Sequence, residues 1–261
     1  MKKKNLFNLF VLLVLFLSGG IVNAQDTYPE SGKMEPNMSE FWLPQPEIVT
    51  PGNIMTNSAP SDAIVLFDGK DLSAWVNSKD SRSAGWTVNN NGTFKVKKDV
   101  GDIQTKESFE NFQLHIEWCI PKDIAGSSQS RGNSGIFLQN KYELQILDNY
   151  NNKTYSNGQA GSIYKQTRPL VNTMRPPGEW NVYDVIYTAP IFKDDGSYRL
   201  PPHITVLHNG VLIQNNTTIL GTTTYIGFPK VVKHGAGPIR LQSHGDASKP
   251  ISFRNIWIRK L

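Results

Sequence analysis

The chain has 261 residues, a formal net charge of +5, and 38% hydrophobic with 10% aromatic residues. That is enough apolar material for a genuine core and fits one large all-β domain or two small ones. With 21 glycines and 16 prolines, many turns are expected and long helices are not.

The first stretch is a leader. Lys2, Lys3 and Lys4 precede an apolar run from Leu6 to Leu17, and Val22-Asn23-Ala24 forms a small-residue cleavage site before Gln25. This reads as a secretory signal peptide over residues 1–24, with an apolar run too short to span a bilayer comfortably. Expected localisation is beyond the inner membrane, periplasmic or extracellular, with no membrane contact after cleavage. The leader carries three lysines and no acid, so the mature chain falls to a net charge of +2. No basic stripe interleaved with aromatics remains, which argues against a nucleic-acid partner. Cys119 is the single cysteine, so no internal disulfide is expected.

Residues 25–60 show almost no periodicity, yet Phe41, Trp42, Leu43, Ile48 and Val49 are too apolar for a free tail. They predict an extended arm packed on the domain. The globular part then runs over 61–261. It opens on the apolar strand IVLF (64–67), and GWTV (85–88) and FKVK (94–97) flank the turn signal Asn91-Gly92. From Phe112 to Ile120 the alternation is clean. Phe112, Leu114, Ile116, Trp118 and Ile120 take one face; Gln113, His115, Glu117 and Cys119 take the other. That second face is either a solvated sheet surface or the floor of a groove.

A Gly/Ser-rich loop leads into RGNSGIFLQNKYELQILD (131–148), two strands joined by a tight turn at Gln139-Asn140-Lys141. In the second of them Glu143 and Gln145 share a face, where a core would want neither. Asp148 is placed at the turn that follows. The long polar segment 149–178 reads as an ordered functional loop. EWNVYDVIYTAP is a strand, HITVLHNGVLIQ (203–214) is the clearest hairpin, PIRLQSHG puts Arg240, Gln242 and His244 on one face, and ISFRNIWIRKL closes the chain as a strand. In that last strand strict alternation groups Arg254, Ile256 and Ile258 against Phe253, Asn255 and Trp257. The sum is an all-β antiparallel sandwich or jelly roll with long loops and little helix.

VLFDGKDLSAW, RGNSGIFLQNKYELQILD, PPGEWNVYDVIY, TVLHNGVLIQN, IRLQSHG and FRNIWIRKL, in this order over about residues 61–261, resemble the 3-keto-disaccharide hydrolase family. The resemblance implies a concanavalin A-like jelly roll that takes an oligosaccharide or glycoside and cleaves glycosides oxidised to a ketone at carbon 3. Such a ketone acidifies the hydrogen on carbon 2, so a base can remove it and the enolate can expel the aglycone from carbon 1. The site needs that base, stabilisation for the enolate oxygen, and an acid for the leaving group. The other reading is a non-catalytic, lectin-like carbohydrate-binding module, which needs aromatic platforms and no perturbed acid.

The catalytic candidates are Glu143, in YELQILD, His244, in LQSHG, and Glu117. Candidate substrate contacts are Gln145, Arg131, Asn133, Tyr164, Trp180 and Gln242. The competing role for Glu143 is a structural ion pair with Arg131 or Arg254. A divalent metal held by Glu143, His244 and Glu117 is compatible with their chemistry, though no spacing shows one and no cofactor is assigned. Oligomeric state is not legible.

Overall fold

Strand alternation decides the two layers. In the computed structural model, which describes residues 35–45, 47–48 and 59–261, the inward-facing residues of two antiparallel sheets meet in a single core. The larger sheet has the strand Phe112–Cys119 at its centre, between Trp180–Thr188 and Ser252–Lys260. The smaller, five-stranded sheet runs Trp75–Asn77, Ile103–Thr105, Arg240–Leu241, Ser134–Leu138, Tyr142–Ile146, with Tyr142–Ile146 at its edge. This is a jelly-roll sandwich. No helix among the described residues is long and apolar enough to cross a membrane. The proposed signal peptide lies outside the described residues.

The inward face read from the sequence is the core face. Phe112, Leu114, Ile116, Trp118 and Ile120 are all fully buried. Phe94 sits among the rings of Phe67, Trp75, Trp86 and Phe253, all within 6.4 Å between centroids. Each such aromatic contributes about 1.5–3 kcal/mol through burial alone. The Asn209-Gly210 turn has both residues at positive φ, +56° and +80°, and joins His208 to Val211 in a two-residue hairpin. His208 is buried beside Asn181 and burial pushes its pKa down to about 3, so it stays neutral and structural.

The last strand departs from strict alternation. A register shift between Arg254 and Trp257, with Asn255 at φ +43°, inserts a bulge. A bulge adds a residue and reverses the phase after it. Phe253, Ile256 and Ile258 therefore all reach the core, while Arg254, Asn255 and Trp257 face outward.

The arm is also held differently from the expectation. Phe41, Trp42, Leu43 and Ile48 remain exposed. Its backbone is fastened to the 154–165 loop instead. Phe41 O accepts from Ser156 Oγ at 2.6 Å, Phe41 N–H donates to Asn157 Oδ1 at 3.2 Å, and Asn157 Nδ2 donates to Ser39 O at 3.1 Å. Val49 lies outside the described residues.

Candidate functional site

The edge strand Tyr142–Ile146 turns Tyr142, Leu144 and Ile146 into the core and Glu143 and Gln145 to the outer face of the smaller sheet. Two tyrosines of the opposite sheet pin this region from beneath: Tyr183 Oη donates to Gln145 O at 3.0 Å and Tyr187 Oη to Gln139 Oε1 at 2.7 Å. The free edge does not stay open. Gly161 N–H donates to Gln145 O, Gln145 N–H to Ser162 O, and Tyr164 N–H to Glu143 O. Thr223 Oγ1 accepts the Glu143 N–H at 2.9 Å, and Thr223 N–H donates to Lys141 O. The long loop and the Gly/Thr-rich segment thus cover the edge and bring Tyr164, Thr223 and Tyr225 to the strand.

The result is a cavity of about 250 Å³ lined by Asn133, Phe137, Glu143, Gln145, Tyr164, Thr223, Tyr225, Gln242 and His244. Six candidates from the sequence meet here: Glu143, His244, Gln145, Asn133, Tyr164 and Gln242. Glu143 is 5% exposed. Its carboxyl lies over Gly135, where a Cβ would come within 2.4 Å of Oε1; only glycine leaves that space. Burial raises its pKa to about 8, with the Arg240 charge pulling weakly the other way. At neutral pH Glu143 therefore mostly keeps its proton.

Gln145 has acceptor oxygens on both sides of its amide. With the nitrogen turned one way it donates to Glu143 Oε1 and Ser134 O, both at 3.1 Å. Turned the other way, the nitrogen reaches Gln129 Oε1 at 3.2 Å and Asn133 Oδ1 at 3.3 Å. The first orientation is the better satisfied one, because the second sets the amide oxygen against both Glu143 Oε1 and the Ser134 carbonyl oxygen.

His244 stands on the rim, about a third exposed, with Nδ1 2.8 Å from Asp246 Oδ2. Burial would raise the Asp246 pKa, but hydrogen bonds from His244 and Ser248 win and pull it down to about 2. Nδ1 also faces the Asp246 N–H at 3.2 Å; with the proton on Nδ1 the ring donates to Asp246 Oδ2 and leaves Nε2 as an acceptor towards the cavity. Lys98 Nζ donates to Asp246 O and to Ser248 O at 2.6 Å, and Gly132 N–H donates to Ser248 Oγ at 3.0 Å, so the turn itself is anchored.

Three candidates are not here. Glu117 lies on the outer face of the other sheet, in a closed network. It accepts from Arg254 Nε at 2.6 Å and Asn255 Nδ2 at 2.8 Å, and His115 Nε2 is 3.5 Å away. Trp180 belongs to that sheet too, beneath the Arg254 guanidinium at 4.2 Å from its ring centroid. Arg131 pairs with Asp148, Nε to Oδ2 at 2.7 Å. Asp148 also accepts from Tyr150 N–H and so caps the turn. Neither Arg131 nor Arg254 pairs with Glu143. A metal set of Glu143, His244 and Glu117 does not assemble, because alternation put the two glutamates on outward faces of opposite sheets.

Sequence reasoning missed Phe137, Thr223 and Tyr225 on the cavity, and Asp246 behind it. Phe137 could have been found from its strand phase, since it sits directly opposite Glu143. The His-x-Asp spacing of His244 and Asp246 was legible. Thr223 and Tyr225 had no periodic signal.

The fold and the cavity together define a jelly-roll protein with a buried acid and a carboxylate-held histidine on the outer face of its smaller sheet. Residues 62–259 match the family model described as a 3-keto-alpha-glucoside-1,2-lyase-like domain, and the chain belongs to that family. A 3-keto-disaccharide hydrolase of Bacteroides thetaiotaomicron is 26% identical over 250 residues, covering 77% of this chain and 80% of that protein. The crystal structure of a provisionally assigned glycosyl hydrolase from Parabacteroides distasonis is 67% identical, with a TM-score of 0.78, covering 86% of this chain and 96% of that one. A second such structure from the same organism is 21% identical, covers 76% of this chain and 94% of that one, and at a TM-score of 0.53 shares the fold.

Proposed function

We propose that this protein cleaves 3-keto-glycosides by proton abstraction at carbon 2 and elimination of the aglycone, followed by addition of water. The observation that carries the reading is the pairing, on one cavity, of an acid that burial keeps protonated with a histidine held against a carboxylate. Two titratable groups with opposed environments divide the acid and base roles.

In this scheme His244 Nε2 takes the proton from carbon 2, and the pair of the broken C–H bond passes through the enolate to form the second bond between carbons 1 and 2. The bond from carbon 1 to the glycosidic oxygen breaks, and Glu143 gives that oxygen its proton. Water then adds to carbon 1, giving its proton to the Glu143 carboxylate, while His244 returns a proton to carbon 2. The net result is hydrolysis, and both groups end as they began. The side-chain amide of Gln242 is the donor available to the enolate oxygen, since Asn133 Nδ2 is already spent on Gln129, whose backbone oxygen it meets at 2.9 Å. The Gln145 amide nitrogen, turned towards Glu143, stabilises the carboxylate left after proton transfer.

The test is incubation of the mature protein with 3-keto-glucosides and the unoxidised glucosides in deuterated water. Expected are aglycone release from the ketone only and deuterium at carbon 2 of the product. Release without deuterium would remove the elimination step, and sugar binding with no release from any 3-keto-glycoside would leave the lectin-like reading. Parallel assays with chelator read whether a divalent ion takes part. The leader implies export, which the N-terminal sequence of the protein recovered outside the inner membrane checks: Gln25 is expected first.

A further inference from the structure

One wall of the Glu143 cavity is built by no strand of the sandwich: it consists of Tyr164 and Tyr225. Behind it lies Lys165, with a side chain only 3% exposed. The ammonium donates to Tyr225 O at 2.7 Å and to Pro36 O at 3.0 Å, and Glu40 Oε1 is 3.8 Å away. It also stands 4.7 Å from the Tyr225 ring centroid and 5.8 Å from those of Tyr155 and Tyr164. A lysine needed only for solubility would run its stem along the surface and leave its charge in water. Burying an ammonium is costly unless it is paired, and here the pairing joins two segments far apart in sequence.

The joint has a second point. Lys165 takes a left-handed φ of +56°, and its N–H donates to Asn157 O at 2.8 Å. The Asn157 side chain holds the arm through Ser39 O and Phe41 N–H. Tyr155 Oη meets Tyr164 Oη at 2.7 Å in the same layer. The arm, the Tyr155–Lys165 loop and the Tyr225 segment therefore share one latch directly behind the cavity wall.

We propose that Lys165 is a positioning residue for the Glu143 site and that the 35–45 arm is the outer support of its tyrosine wall. Lys165 touches no substrate; it holds Tyr225 and the arm together so that Tyr164 and Tyr225 face the sugar. This rests on the carbohydrate reading of the cavity.

The test uses the full mature chain carrying Lys165→Met, Lys165→Arg or Asn157→Ala, each measured well below its own melting temperature. The last variant keeps Lys165 and covers the case in which Lys165→Met does not fold. Hydrogen exchange without sugar comes first. Lys165→Met and Asn157→Ala are each expected to speed exchange in 36–41 and 222–227 together, leaving Phe112–Cys119 unchanged. With 3-keto-glucoside, KM is expected to rise about tenfold, equivalent to about 1.4 kcal/mol, while kcat stays within about twofold. Lys165→Arg should recover most of that loss, and the Met and Ala effects should not add, because both act through one latch. Loosening confined to one of the two segments, or an unchanged KM, overturns the proposal. If the wild type cleaves no 3-keto-glycoside while the exchange coupling holds, the glycoside reading alone fails.

Discussion

Glu143, on the edge strand of the smaller sheet, and Glu117, on the central strand of the larger, have opposite fates. Both are outward-facing residues of alternating strands, and both are at most 5% exposed. Glu117 is met by Arg254, Asn255 and His115. Burial alone would raise its pKa, but those partners pull it down to about 2. His115 is likewise opposed by burial, yet its hydrogen bonds to Asp184 and Glu117 lift it to about 9, and it is charged. Glu143 is covered just as thoroughly, but by a glycine, an amide, aromatic rings and backbone. No cation touches it, and burial raises it to about 8. Burial with a matched charge makes a staple; burial without one keeps a proton on a carboxyl that lines a cavity.

The comparison can be broken at either glutamate. The largest effect belongs to Glu143→Gln, which is expected to lower single-turnover aglycone release about 10³-fold, within the range that general acid–base groups supply. Its melting temperature should not fall, since a neutral isostere replaces a carboxyl that the folded state already prefers neutral. Full activity in this variant would take Glu143 out of the mechanism. Next comes Glu117→Ala, which takes the carboxylate from Arg254 and leaves His115 with Asp184 as its one acidic partner. Urea unfolding should show a loss of about 3 kcal/mol, the lower end for a broken buried pair because Arg254 is partly exposed. Turnover should stay within about twofold; a collapse in folded, soluble protein would mean the larger sheet carries chemistry.

The smallest effect is the sharpest discriminator, because the two glutamates bend the pH dependence of stability in opposite directions. The pKa of Glu143 is raised on folding, from 4.5 to about 8. Its contribution is fully present below pH 4.5 and is lost as pH rises through about 8. The wild type should therefore lose ground to Glu143→Gln across that window. The pKa of Glu117 is lowered on folding, from 4.5 to about 2. Its contribution is full above pH 4.5 and is lost as pH falls through about 2, so the advantage of the wild type over Glu117→Ala should shrink in acid. Melting curves from pH 2 to pH 9 read both. Parallel slopes for the two variants would mean the two sites differ less than their partners indicate.

Much of this was written in the chain. The period-two pattern of Phe112–Cys119 predicted its core face residue by residue, because a half-buried strand has no other way to hide its apolar side chains. Asn209-Gly210 predicted its hairpin, because few other pairs adopt left-handed backbone at both positions. YELQIL placed Glu143 and Gln145 on one face; the strand read over 238–245 stops at Leu241, so Gln242 and His244 reach the cavity from the segment beyond it. The same rule failed in the last strand, where a bulge at Asn255 reversed the phase. The arm offered no period to read; it is fastened through the backbone of Ser39 and Phe41 and through the side chains of Gln45 and Trp42, the latter edge-on to Tyr155.

Legible in the chain alone were the sandwich, the polar face of every regular strand such as Phe112–Cys119 and Tyr142–Ile146, and the family through motifs in a given order. Alternation is local, and so it could be read one strand at a time. Which outward face meets which loop is not local. Only the tertiary structure decided that Glu117 would find Arg254 across a neighbouring strand while Glu143 would be covered by segments some 20 and 80 residues further along. The difference between a neutralised charge and a stored proton is set by those distant partners, since the energy of a buried carboxyl depends on what replaces its water and not on its neighbours in sequence.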